Sequence, residues 1–113
     1  MFDPKTFTVR SKKVLAAAEG RNCTLRIPGR CNHDPSTTVA CHLPGHNSGT
    51  AKKVDDIHIA FGCSSCHDAI DMRGNVWKTM PAAVLLDAML RGHAETLNIL
   101  VGEGLISVAG FEI

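Results

Sequence analysis

Cys63-Ser64-Ser65-Cys66-His67 is the stretch on which the fold turns. Two thiols with two residues between them can aim both sulfurs at one metal ion, and a histidine follows at once. A second pair, Cys23 and Cys31, lies upstream. Its spacing is wider, but Pro28-Gly29 can fold the segment back and bring the two sulfurs together. Four thiolates are the donor set of a structural zinc ion. The bland alternative is that Cys23 and Cys31 are small buried residues, as free cysteines often are.

The same five residues also spell a c-type haem attachment motif. Haem attachment requires export and an apolar pocket rich in aromatics, and here aromatics are 4% of the chain with no Tyr. That reading also leaves Cys23 and Cys31 without a role. A thioredoxin-like redox pair is disfavoured too, because no βαβ pattern surrounds the motif.

The chain has 113 residues, which suits one small domain. A core of this size commonly needs a covalent or metallic staple. Five cysteines is an odd count, unlike the even sets of secreted disulfide scaffolds. No secretory signal is visible, and no apolar run reaches the ~18 residues of a membrane span. A cytoplasmic protein with reduced thiols is expected. Net charge is +1 but uneven: residues 1–62 carry +4 and residues 63–113 carry −3. A basic front half hints at a phosphate-bearing partner, although an ordinary solvated surface explains it equally well.

Residues 1–10 read as a loose arm and 11–113 as a single domain. Ser11 can cap a short helix that stops at Gly20. Alternation predicts strands over Cys23–Ile27, Thr37–Leu43 and Ile57–Phe61. A helix is predicted from Ser64 to about Arg73. Thr79 and Pro81 then open a long helix whose apolar positions include Leu85, Leu86, Met89, Leu90, Leu97 and Leu100. Gly102 and Gly104 end it, and Leu105–Val108 reads as a last short strand. The broad stripe on the long helix suits either a core or a homodimer interface.

His67 falls in the first turn of the predicted helix, with Asp71 four residues on and on the same face. That pair could hold a second cation, or His67 could simply cap near the zinc. His42 lies between Cys41 and Leu43. If those two point inward, His42 points outward, where a neutral imidazole could take a proton from water. A satisfied core histidine is the alternative. His46 and His58 are weaker candidates, His33 a loop residue, and His93 either surface or site.

Ala40-Cys41-His42-Leu43 followed by Cys63-Ser64-Ser65-Cys66-His67 resembles the HNH, or ββα-metal, endonucleases. Arg21-Asn22-Cys23, Arg26-Ile27-Pro28-Gly29, Cys31-Asn32 and Cys63 through Asp71 are more closely similar to a family of small prophage-encoded nucleases. The resemblance implies an α+β fold: a zinc-stabilised ββα-metal core with an N-terminal helix and a long C-terminal helix. It implies a DNA endonuclease in the cytoplasm of a bacterial host. His42 would be the general base, and His67, with Asp71 or His46 completing the shell, would bind a divalent cation such as Mg2+ or Mn2+. Two departures stand out. Cys41 occupies the place where many members have Asp or His, and the middle Asn of the motif is replaced near Asp56 or His58. Lys52, Lys53, Arg26 and Arg30 are the cations expected to meet DNA phosphates. A zinc-stabilised nucleic-acid-binding module without catalysis is the competing reading.

Overall fold

The computed structural model describes residues 8–44, 55–71 and 76–113. It is a small α+β arrangement: one two-stranded antiparallel sheet wrapped by helices. Helix α1 spans Lys12–Ala16, and Ser11 caps it by accepting from the Val14 amide at 3.2 Å. Strand β1 (Val39–His42) pairs with β2 (Ile59–Gly62), placing Cys41 opposite Ala60 and His42 opposite Ile59. Helix α2 (Ser64–Ile70) starts on Cys63, whose sulfur accepts from the Cys66 amide at 3.4 Å. A single turn, α3 (Val76–Thr79), precedes α4 (Ala82–Gly102), which begins after Pro81. Proline suits that place because a helix's first amides have no partner within the helix.

Side chains alternate across a sheet, so the register sorts the core into two halves. On one face Cys41 and Ala60 pack with Leu25, Ile27, Ile70, Leu85 and three of the paired cysteines. On the other, Ile59 and Phe61 pack with Val14, Ala18 and Leu100. Every residue of β2 is buried. A lone pair of strands is marginal in water, and here both faces are covered. The outer edge of β2 is satisfied by threonines in place of a third strand. The Phe61 amide donates to Thr24 Oγ1 and Thr96 Oγ1, both at 3.1 Å, and the Phe61 carbonyl accepts from the Thr24 amide at 2.7 Å.

Several expectations are corrected. Cys23–Ile27 is not a strand: Arg26 sits at φ +40°, and its amide donates to Cys23 Sγ at 3.3 Å. A turn that directs its amide to sulfur stands where a ladder was expected. Leu105–Val108 is not a strand either, because the Leu105 and Ile106 amides fold back onto the Leu100 carbonyl at 2.9 and 3.2 Å. Leu86 and Leu90, expected in the core stripe, are 56% and 73% exposed. Ala88, Gly92 and Thr96 take inward positions instead. Most of the expected arm, residues 1–7, lies outside the described residues; beyond it the Val9 amide donates to Asp55 Oδ1 and the Ser11 amide to Asp56 Oδ2, each at 2.7 Å.

Gly62 lies where the sheet meets the knuckle. A Cβ there would stand 2.6 Å from Cys41 Sγ and 2.8 Å from Leu25 Cδ1, both on fully buried side chains. Gly62→Ala is expected to cost about 1–3 kcal/mol through overpacking, lowering the melting temperature by roughly 5 °C or more. Thermal melts of the two proteins check this.

Candidate functional site

The four paired cysteines converge. One sulfur from each of Cys23, Cys31, Cys63 and Cys66 lies within 4.8 Å of all the others, and Cys31 Sγ and Cys63 Sγ are 3.8 Å apart. Sulfurs on one tetrahedral zinc, bonded at ~2.3 Å, sit about 3.8 Å from each other. Three backbone amides from the upstream knuckle point at the sulfurs. Arg26 donates to Cys23, Ile27 to Cys66 and Asn32 to Cys63, at 3.3–3.4 Å. Such bonds stabilise negative charge on sulfur. The Cys66 thiol hydrogen-bonds Cys23 and pulls the Cys23 thiol well below its ordinary range, while Cys66 itself is pushed up. Donor set, spacing and amide cradle all fit a metal ion such as zinc. Cys41 stays outside the cluster. Burial pushes its thiol up to about 12, so it is a core residue.

His42 ends β1 and is paired. Its Nε2 lies 2.9 Å from Oδ1 of Asp56, whose side chain is 3% exposed. Burial alone would raise the Asp56 carboxyl. The bonds from His42 and the Ser11 amide, with Arg10 nearby, outweigh it and hold the group below its ordinary range. An ionised carboxylate only accepts, so Nε2 carries the hydrogen and a neutral imidazole keeps its lone pair on Nδ1. Asp56 has a lowered folded-state pKa. Its contribution is therefore present above the unfolded carboxylate range and disappears as pH falls through the folded value. Acid melts should show this: Asp56→Asn is expected to flatten the loss of stability below about pH 4.

The other expected residues are scattered. His67 is half-buried in the first turn of α2, and Asp71 follows as its exposed C-terminal residue. The α2 residues Cys66, Ala69 and Ile70 pack on the Cys41–Ala60 face, whereas the register puts His42 on the Ile59 face. His42 and His67 thus come from different elements, the end of β1 and the helix α2. Arg26 is clamped by Glu95 through two bonds of 2.8 and 2.6 Å, and Arg30 donates to Thr79 at 3.3 Å. Lys52, Lys53 and His46 lie outside the described residues.

Two groups have partners that the sequence does not announce. Asp56 is tied to His42 across 14 positions and to Ser11 across 45, which no local pattern announces. His33, read as a loop residue, sits with Nδ1 3.6 Å from Cys31 Sγ.

The described residues thus hold a thiol cluster and, separately, an exposed histidine tied to a buried aspartate, on a small α+β frame. The model for the family "Putative nuclease YbcO" covers residues 12–104, and the chain belongs to that family. The protein of that name from Escherichia coli (strain K12) is 40% identical over 91 residues, covering 80% of this chain and 92% of the relative. A protein of the same name from Enterobacteria phage 82 matches at the same identity and coverage. A solved structure, described as a putative bacteriophage protein from Escherichia coli K-12, superposes with a TM-score of 0.63 at 37% identity. It covers 80% of this chain and 98% of the other. Among the described residues, no helix is long and apolar enough to cross a membrane.

Proposed function

We propose that the chain is a metal-dependent DNA endonuclease of the HNH kind, acting in phage or prophage DNA processing, with zinc held by Cys23, Cys31, Cys63 and Cys66. The observation that carries the reading is the buried carboxylate of Asp56 fixing the tautomer of His42, in a member of a family named for nucleases. Asp56 then fills the orienting role of the motif's missing Asn. His42 Nδ1 takes a proton from water. The water oxygen attacks phosphorus, and the 3′ oxygen departs with the bonding pair. His67 and Asp71 would hold a divalent cation such as Mg2+ or Mn2+, which when bound supplies positive charge to the phosphate. The homodimer in this reading joins through the exposed Leu86 and Leu90.

The test is a cleavage screen on linear, supercoiled and branched DNA with each divalent ion. Cleavage with Mg2+ or Mn2+ is expected, and both His42→Ala and His67→Ala should abolish it without changing zinc content. Retained activity in His67→Ala would move the cation elsewhere. DNA retention without cleavage by any ion would leave the non-catalytic module.

Arg26 is neutralised by Glu95, so phosphate contact falls to cations such as Arg30, Lys52 and Lys53. Three such contacts imply about 40-fold weaker DNA binding when salt rises from ~50 to ~200 mM. A fluorescence-anisotropy titration at both salts checks it, and a flat response would exclude phosphate-driven binding.

A further inference from the structure

Ile59 is surrounded by imidazoles. His42 is its cross-strand partner, His58 precedes it in the chain, and His93 of α4 lies with Nδ1 2.8 Å from its carbonyl oxygen. A carbonyl only accepts, so His93 Nδ1 carries the hydrogen and Nε2 keeps the lone pair. His58 faces a carboxylate at longer range. Its Nδ1 lies 3.8 Å from Oδ2 of Asp55, whose side chain is 6% exposed. The His58 and His93 rings stand edge to face with centroids 6.3 Å apart. Each ring thus has Nδ1 facing a protein oxygen and Nε2 left over. This is how metal-binding histidines are commonly held, with the outer oxygen fixing ring and tautomer.

We propose that His58 and His93 form a second metal site for an imidazole-preferring divalent ion such as Zn2+, Co2+ or Ni2+, distinct from the thiol cluster and from His67 and Asp71. Metal–nitrogen bonds of ~2 Å place the ring centres of two tetrahedral ligands about 5 Å apart. The observed separation must close by about 1 Å, through a rotation of His58, whose side chain is 50% exposed. Imidazole nitrogen favours these ions over Mg2+, whose ligands are oxygens. Water would complete the shell. The proposal does not rest on the nuclease reading, since its measurement is metal binding and not cleavage.

The test starts from protein with zinc already in the thiol site, titrated with Co2+ and followed by absorption and by histidine side-chain NMR. The expected result is a further equivalent whose paramagnetic shifts fall first on His58 and His93. His58→Ala and His93→Ala should each weaken that equivalent by ~10-fold or more, and Asp55→Asn by about 10-fold. His67→Ala should leave it in place. His58→Ala, at an exposed position, keeps the test valid if His93→Ala unfolds. A second equivalent unaffected by His58→Ala, or shifts confined to His67, would overturn the assignment. So would a titration showing no Co2+ beyond the thiol site.

Discussion

Stripping metal from the four-thiol site should unfold this protein as a whole, not merely loosen a loop. A four-ligand structural zinc contributes an apparent ~10–16 kcal/mol to folding in small zinc domains. A native domain keeps only about 5–15 kcal/mol in total. The ion's contribution therefore equals or exceeds the whole margin. The cluster is also not peripheral: Cys23, Cys63 and Cys66 belong to the same core as Leu25, Ile27, Ile70 and Leu85. The knuckle amides of Arg26, Ile27 and Asn32 have sulfur as their acceptor. Losing the ion leaves crowded, partly charged sulfurs in an apolar setting, where burial of charge is costly. Excess strong chelator should collapse the helical circular-dichroism signal, with one equivalent of zinc released. Cys66→Ser should behave like the chelated protein. Cys41→Ala is the control. It removes a buried sulfur outside the cluster, should cost only about 1–2 kcal/mol and should keep the zinc. A chelated protein that melts at the original temperature would remove zinc from the account of this fold.

The same cysteines explain why part of the molecule was legible in the sequence. Cys-x-x-Cys is a local pattern whose geometry is set by one turn of chain, so the convergence of the thiols and the start of α2 could be read directly. β1 and β2 followed from alternation. What escaped were elements whose shape is decided by distant partners. Cys23–Ile27 alternates like a strand, yet the sulfur at position 23 takes the amide that a ladder would need. The α4 stripe was assigned by hydrophobicity alone. Gly92 and Thr96 turned inward because the backbone of Thr24 and the edge of β2 lie close against the helix. Leu86 and Leu90 went outward as a result. Asp56 shows the same limit: motif position singles out Asp56 or His58 without choosing between them, and only the fold reveals Asp56 buried and bonded to both His42 and Ser11.

That burial makes Asp56→Asn the sharpest probe of catalysis. Asp56 serves two donors at once, the Ser11 amide on Oδ2 and His42 Nε2 on Oδ1. Asparagine has one oxygen and one NH2, so it cannot accept from both. The Ser11 amide is a fixed backbone donor beside α1, whereas the imidazole can exchange its hydrogen between nitrogens. The carbamoyl oxygen should therefore go to Ser11, leaving NH2 facing Nε2. His42 must then accept at Nε2 and carry its hydrogen on Nδ1, the tautomer that cannot take a proton from water at Nδ1. Cleavage is expected to fall by about 10²–10⁴-fold, close to the loss for His42→Ala, because both remove general-base help. A merely structural role for Asp56 predicts something else: lower melting temperature, with the rate per folded molecule unchanged. Long-range 1H–15N spectra of His42 separate the two, since only the mechanistic account requires the hydrogen to move from Nε2 to Nδ1. Full turnover in folded, zinc-loaded Asp56→Asn would show that this pair does no proton transfer.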